Sequence, residues 1–494
     1  MRISKTISLL LAIMLLLTTL IACGDTSSSN VTETTTAPNG ETVTDEATET
    51  TFNYDPGLPG ADYGGRTFNI LTKAVATYTD WGETSIWTES ENGDAVNDSI
   101  YQRNRAIEET YNIVIAEYQS GAVVGDIQKS VSAGDGAYDV VMPALGDSGT
   151  LAAGGYLVDL FTLDHVNFTQ PWWDQRSVED LSITNKLFFV SSDTSTLNND
   201  ATWVTMFNKE MIEAHSLTSP YEHVANNTWT YETFYNQYKG VYMDLDGDGE
   251  TGAYDTYPNL TQNENYNAMF IGGGERLIAK NADDVPVIAL GNDERSIRVL
   301  EIMNSIMNDK EFSLNYHNYG SLGYHLWTTT MFEESRGLYW ITCLQIVIRL
   351  RDLATPMGVV PVPKFSEDQE RYANVVWTVG SFSAVPKTTP DMECTGMILE
   401  AMAAKSMELL RPAYYDIALN GKFLRDEESV EMMDIIISER VYDLGLAFNF
   451  GSIMGVLDGL VAKGSSDIVS AMASKTSAIQ TAIDKIIDNF NENT

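Results

Sequence analysis

Five carboxylates stand within twelve residues in the run Asp244-Leu245-Asp246-Gly247-Asp248-Gly249-Glu250-Thr251-Gly252-Ala253-Tyr254-Asp255. The run fits D-x-D-x-D-G with a carboxylate at its twelfth position, the pattern of a calcium loop. Calcium takes about six to eight hard oxygen ligands in a flexible geometry. Asp244, Asp246 and Asp248 would set three carboxylates on one side of a tight loop. Gly249 would permit the sharp turn, Glu250 would supply its backbone carbonyl, and Asp255 would close the site. Asp255 stands where a longer Glu is usual, so a two-oxygen final contact is harder to reach. A single loop rather than a pair points to one structural Ca2+; an acidic turn without metal is the alternative.

Other fragments carry less chemistry. Gly146-Asp147-Ser148-Gly149 has the look of a serine-protease nucleophile motif, but Thr150 follows it and no histidine stands in a matching context. It also follows an apolar strand in an α/β pattern. Gly272-Gly273-Gly274 lacks the Lys and the spacing of a phosphate loop. Five histidines and three cysteines form no cluster with zinc spacing. Cys343 and Cys394 both lie among apolar residues, and either a disulfide between them or two buried thiols fits the sequence. With 69 acidic residues, chance pairs of carboxylates are many, so a glycosidase pair stays open. The nine tryptophans and 24 tyrosines suit a cleft that lays aromatic rings on sugar C–H faces while amides and carboxylates take the hydroxyls.

The elements that must position such groups alternate. Arg66 to Thr72 reads as a strand, Asn97 to Tyr111 as an amphipathic helix with Asn97-Asp98 as cap, and Asn112 to Ala116 as a strand. Ile127 to Ala133 reads as a helix, and Tyr138 to Pro143 as a strand apolar enough to be buried on both faces. That β-α-β-α-β order implies a parallel sheet covered by helices. Ligands collect beyond the carboxyl ends of such strands, here the loops starting at Lys73 and Ala144. Further on, Trp203 to Phe207 and Gly358 to Val362 read as strands and Arg295 to Met307 as a helix. Ile468 to Phe490 reads as one long terminal helix.

The chain of 494 residues, 44% hydrophobic and 20% charged, has room for two or three domains. Its net charge of −39 disfavours nucleic acid as a partner. Arg2 and Lys5 precede an apolar run from Ile7 to Leu17, as in a signal peptide. The segment ends Leu20-Ile21-Ala22-Cys23, which resembles the lipobox of bacterial lipoproteins. That resemblance makes Cys23 the lipidated mature N-terminus, with more than one acyl chain and hence stable anchoring. Thr26 to Asn53 is rich in Thr, Ser and acidic residues and poor in large apolar ones, so it reads as a tether.

From about Tyr54 onward the chain resembles the extracellular (family 1-like) solute-binding proteins of carbohydrate ABC transporters. The carrying stretches are Asn92-Gly93-Asp94-Ala95-Val96-Asn97-Asp98-Ser99-Ile100-Tyr101-Gln102-Arg103-Asn104, Gln170-Pro171-Trp172-Trp173-Asp174, the acidic loop before Tyr257, Pro412 to Leu419, and Arg440-Val441-Tyr442-Asp443-Leu444-Gly445. The resemblance implies an α/β, two-lobe periplasmic-binding-protein-like fold (type II), with discontinuous lobes joined by a hinge. It implies a signal peptide over 1–22, a tether over 23–53, a first lobe from 54–200 and 383–447, and a second from 201–382 and 448–494. Crossings are expected near Asp200 to Met206, near Val376 to Val385, and near Leu444 to Gly451.

The function so implied is capture of a solute between lobes and delivery to the transmembrane subunits of an ABC permease, at the outer face of the cell membrane. The solute is expected to be a mono- or oligosaccharide and the protein a monomer without catalytic activity. Candidate ligand-binding residues are Trp87, Asp147, Asp200, Trp340, where relatives often carry a sugar-stacking aromatic, and Trp377. Trp173 is expected to pack structurally. The alternatives are an anchored carbohydrate-active enzyme and a ligand receptor for a sensor kinase.

Overall fold

The computed structural model describes residues 52–76, 81–350, 353–419 and 427–492. The signal segment, Cys23 and the tether up to residue 51 lie outside the described residues. The chain divides after Asn53, and Tyr54–Thr494 form one unit.

β1 (Arg66–Lys73) buries Phe68, Ile70 and Leu71. The helix α1 (Ala95–Tyr111) follows, and its cap is Asp94, whose side chain accepts from Asn97 N at 2.9 Å. The helix therefore starts before the expected Asn97. Asp98 does a different job, accepting from the amides of Asn92 and Gly93 and holding the turn ahead of the helix. Then come β2 (Ile113–Ser120), α2 (Val123–Ala133), β3 (Val140–Met142) and α3 (Leu145–Ala153). The three strands are parallel in the order β2-β1-β3, the sheet that the alternating pattern implies.

After α4 (Gln175–Leu181) and a turn over Leu197–Asp200, the chain enters a second sheet. Its strands are β4 (Trp203–Asn208), β5 (Tyr257–Thr261), β8 (Ser313–Asn315), β9 (Gly337–Cys343) and β10 (Met357–Val360); β6 (Ile278–Lys280) and β7 (Pro286–Ile288) pair as a separate ribbon. The order is β10-β4-β9-β5-β8, with β5, β8 and β9 parallel and β4 antiparallel to both neighbours. Every residue of β4, β5 and β9 is buried, as a sheet covered on both faces requires. The helices α5 (Asn265–Gly272), α6 (Glu294–Asn308) and α7 (Leu344–Arg349) lie between these strands in sequence.

Crossing segments join the two sheets. Trp203 opens β4 directly after the turn at Asp200. β11 (Asn374–Val375) pairs in parallel with β12 (Arg440–Val441), and Thr202 bridges Val376. Downstream, Ser381, Ser383, Ala384 and Pro386 bridge Ala144, Val190, Val141 and Leu157 on the first sheet's side. A crossing thus runs at Arg440–Val441, in addition to the one expected near Leu444 to Gly451. Leu444–Phe448 is a short helix against α3, and the chain then passes to Met454–Val461 against α5 and α6.

Two stretches pack differently from the lobe division expected above. The long helix α8 (Met392–Leu419) lies along α1, but α9 (Glu427–Ser438), within 383–447, packs on β10 of the second sheet. Its Met433 and Ile436 belong to that sheet's core. Within 448–494, Met454–Val461 packs on α5 and α6, whereas the chain's end returns to the first lobe: the Phe490 ring lies tilted against Phe188, centroids 4.3 Å apart, and Lys186 Nζ donates to Phe490 O. The expected single terminal helix is two, Ile468–Ala473 and α10 (Thr476–Glu492). Lys475 N and Thr476 Oγ1 both donate to Met472 O at 2.8 Å, which closes the first helix and starts the second. Cys343 and Cys394 are both buried free thiols, so no disulfide joins them.

Candidate functional site

A cavity of about 160 Å3 lies beyond the carboxyl ends of the parallel strands β5, β8 and β9. β5 leads into Gln262 and Glu264, β8 into His317, and β9 ends in Thr342 and Cys343 before Gln345, Ile346 and Arg349 of α7. Trp203 comes from the start of β4, Trp377 and Val379 from the return segment, and Trp81 from the loop after β1. Loops belonging to both sheets therefore meet here, where open α/β sheets hold ligands.

Three tryptophans from three segments wall the cavity. Trp203 and Trp377 stand edge to face, with centroids 5.8 Å apart at 85°. Trp203 is fully buried, yet its Nε1 finds no acceptor among the described residues. A buried N–H left unmatched costs about 1–3 kcal/mol, so it is a donor available to a ligand or water. Polar groups complete the wall: two amides, Gln262 and Gln345; a threonine; Arg349; and Glu264, whose Oε2 lies 3.9 Å from His317 Nε2.

The expected residues separate under this geometry. Trp377 lines the cavity. Asp200 sits at the crossing beside it and accepts from Tyr414 OH at 2.8 Å. Burial pushes its carboxyl up to about 6; the Tyr414 hydrogen bond opposes this, the charge of Glu83 adds to it, and that of Arg349 opposes it. Asp147 stands in the first turn of α3, partly exposed and outside the cavity wall. Burial raises its carboxyl while the charge of Lys73 lowers it. The helix itself starts against the return segment, where Leu145 N donates to Thr378 O at 3.1 Å. Trp87 is 44% exposed and does not border the cavity.

Trp340 is a correction. It has no exposed surface, lies in the second sheet's core, and stands edge to face with Tyr316 at 6.3 Å. β9 is central and covered on both faces, so both alternating sets of its side chains are core; only the strand's last residues reach the cavity. Ser148 is also fully buried, and its hydroxyl donates to Ala144 O at 3.0 Å rather than standing as a nucleophile. A Cβ on the neighbouring Gly149 would run into the carbonyl of Ala447, so this glycine serves helix packing.

The stretches that carry the family resemblance meet in buried polar nodes. Trp172 Nε1 and Trp173 Nε1 donate to the two oxygens of Glu400 at 3.0 and 2.8 Å, and Asn167 N adds a third donor at 3.2 Å. Asp174 pairs with Arg440 at 2.7 Å and accepts from Tyr442 OH at 2.7 Å. Trp173 is structural, as its setting implied.

In the acidic loop, Asp244, Asp246 and Asp255 each place a carboxylate oxygen within 4.8 Å of the others. Asp255 is buried and accepts from Leu245 N and Gly252 N, which folds the loop's end back onto its start. Gly247 and Gly249 hold φ of 73° and 78°, a left-handed turn that a side chain would strain. Asp248 and Glu250 lie at the exposed tip, outside the converging set; Asp248 Oδ1 accepts from Glu250 N at 2.8 Å. Three converging carboxylates and a loop with the right turn fit a hard cation.

The sequence reading missed Trp81, Trp203, Glu264, His317, Gln345 and Arg349. The signal is in the chain: ligands gather at carboxyl strand ends of the second sheet as well as the first, and most of these residues follow β5, β8 and β9.

No protein-family model and no curated protein matches the chain. Solved structures of ABC-transporter sugar-binding proteins do resemble it. One is the ABC transporter associated binding protein from B. animalis subsp. lactis Bl-04 in complex with beta-1,6-galactobiose, 14% identical, TM-score 0.53, covering 85% of this chain and 98% of that one. Another is a cyclo/maltodextrin-binding protein complexed with maltotetraose, 13% identical, TM-score 0.53, covering 86% and 96%. A third is the cyclic alpha-maltosyl-1,6-maltose binding protein from Arthrobacter globiformis, 14% identical, TM-score 0.52, covering 87% and 99%. At these identities the likeness establishes the fold: the chain is a two-lobe α/β protein of the periplasmic-binding-protein-like type.

Proposed function

We propose that this chain is a lipid-anchored, extracellular solute-binding protein that captures a carbohydrate in the cavity between its lobes and presents it to an ABC permease. The observation that carries the reading is the cavity wall: tryptophans from three segments, one with an unmatched indole N–H, beside amides and ionisable groups. Aromatic faces with scattered hydrogen-bonding groups suit a polyhydroxylated solute. Solute that touches the wall from both sheets favours the closed arrangement, and closure is the signal a permease can read. The cavity is smaller than the ~300–1,000 Å3 of ordinary ligand pockets. A monosaccharide is thus the solute that fits best without lobe movement, and an oligosaccharide needs the lobes to part.

Asp244, Asp246 and Asp255 hold a structural Ca2+ in this reading, with Asp248 and the Glu250 carbonyl drawn in from the loop tip. The sugar site lies elsewhere, so the ion stabilises without taking part in capture. Cys23 carries the anchor, 23–53 is the tether, and the body acts as a monomer at the outer face of the membrane.

The test is tryptophan fluorescence and thermal unfolding against neutral and acidic mono- and oligosaccharides. A saturable response to one sugar class without product release supports capture. Sugar at one hundred times its Kd would add ~2.7 kcal/mol to stability. Turnover of a glycan, or no response to any sugar, overturns the reading. For calcium, chelation is expected to lower the melting midpoint and added Ca2+ to restore it in the native chain but not in Asp255→Asn. Equal midpoints with chelator and with Ca2+ would remove the ion from the account.

A further inference from the structure

A second cavity, of about 220 Å3, lies beside the paired crossing strands β11 and β12. The return segment serves both cavities, contributing Trp377 and Val379 to the first and Arg371 to Ala373 to the second. The second cavity's other walls are α4, the turn after α5, and β12 with the residue before it. Four arginines border it, Arg176, Arg276, Arg371 and Arg440, against three carboxylates, Asp180, Glu370 and Glu439, in a chain with only 30 basic residues against 69 acidic ones.

Three of these guanidiniums have carboxylate partners: Arg176 has Glu179 at 3.0 Å, Arg371 has Glu439 at 2.6 Å, and Arg440 has Asp174 at 2.7 Å. Arg440 is nine-tenths buried, and its Nε has no acceptor among the described residues. Arg276 donates to the carbonyl of Glu275 at 2.9 Å and has no carboxylate within ion-pair distance among the described residues. The acids whose charge it feels are already engaged. Asp180 accepts from Tyr442 N at 3.0 Å, and Asp443 accepts from Leu277 N at 2.8 Å and Gly445 N at 2.6 Å. A guanidinium is a rigid fork of donors that matches an oxyanion in two places at once, and one that forms no direct ion pair beside a cavity has that fork free for an anion there.

We propose that this cavity binds a small oxyanion, a carboxylate or phosphate group, held by Arg276 and Arg440 with Arg176 at its rim. α4 stands on the first sheet's side and the turn after α5 on the second's, so a bound anion ties both sides of the crossing strands. If the solute-capture reading holds, anion and solute are then linked, each changing the other's affinity by the same factor. The anion site itself does not rest on that reading.

Isothermal titration of the full chain with inorganic phosphate, and separately with citrate, at fixed ionic strength tests it. Saturable binding of at least one probe is expected, about tenfold or more weaker in Arg276→Gln. Arg298→Gln, on an exposed helix face, should leave the affinity unchanged. Which probe binds tells a phosphate from a carboxylate ligand. No binding of either probe in the millimolar range, or unchanged binding in a folded Arg276→Gln, overturns the proposal. If Arg276→Gln does not fold, the partly exposed Arg176→Gln takes its place, with severalfold weaker binding expected and unchanged affinity overturning the proposal. No sugar enters the experiment, so its failure is read separately from a failure of solute capture.

Discussion

Trp172 and Trp173 meet a carboxylate at Glu400, and Trp203 and Trp377 meet polar groups at the cleft, yet the two regions differ in what is left unmatched. At Glu400 each indole N–H has its own carboxylate oxygen, and the group is buried on all sides. At the cleft the Trp203 N–H has no acceptor, and Trp377 is partly open beside a cavity. The same residue types make a structural node in one place and a candidate binding wall in the other. What separates them is whether the protein has already satisfied its own polar atoms.

The largest way to break that contrast is to remove the satisfied carboxylate. Glu400→Ala leaves two indole N–H groups and Asn167 N without their acceptor. We expect a loss on the order of 3–5 kcal/mol in urea unfolding, with sugar affinity of the remaining folded protein unchanged. If affinity falls with little loss of stability, Glu400 belongs to the binding wall and the contrast is wrong.

Trp377→Ala acts on the other side of the comparison. It removes one aromatic wall and the edge-to-face partner of Trp203. Because the residue is partly exposed and borders the cavity, the expected cost falls on binding: a sugar affinity weaker by about 10–100-fold. Titration followed through the remaining tryptophans measures it. A variant that binds sugar as tightly as the parent would place the solute elsewhere.

Much of this was legible in the sequence, and the limits have physical causes. β1 to β3 could be read because each strand is a short apolar run separated by a helix of clear period. The Trp203 to Phe207 strand could be read for the same reason. Trp340 could not be placed, since the sequence does not say that β9 is central and covered on both faces. Asp94 was overlooked as a cap because Asn97 and Asp98 offer the same chemistry three and four residues later; only the backbone shows which amides each one meets. α9 was misplaced because an amphipathic face does not name its partner. Glu264 and His317 were invisible because parallel pairing of β5 and β8 brings them together across some fifty residues of chain.

Asp200 sharpens the comparison by titration. Its folded value of about 6 lies above the ordinary ~3.9 of an unfolded aspartate. Between those values the folded chain holds a proton that the unfolded chain has released. Its contribution to stability is therefore fully present below about pH 4 and is lost as pH rises toward about 6. Asp200→Asn removes this share, on the order of 3 kcal/mol, while keeping an acceptor for Tyr414. The urea midpoint should fall less steeply between about pH 4 and 6 in the variant than in the parent. Asp180 and Asp458, also raised to about 6, keep part of the slope. An unchanged slope would mean that Asp200 is ionised throughout and already paired with a cation.

Trp87 gives the smallest effect and the strictest control. It is a tryptophan in the loop after the first strand, as Trp81 is, and it is the one the sequence reading places among the ligand-binding candidates. The structure puts Trp81 on the cavity wall and leaves Trp87 44% exposed away from it. An exposed aromatic outside the core costs little to truncate, so Trp87→Ala should stay within ~0.5 kcal/mol of the parent in unfolding. Its sugar affinity should match the parent's, while Trp81→Ala should weaken binding. A loss of affinity in Trp87→Ala would mean that the loop refolds over the cleft when solute arrives, exchanging one tryptophan for the other, and the binding wall would then have to be drawn from both.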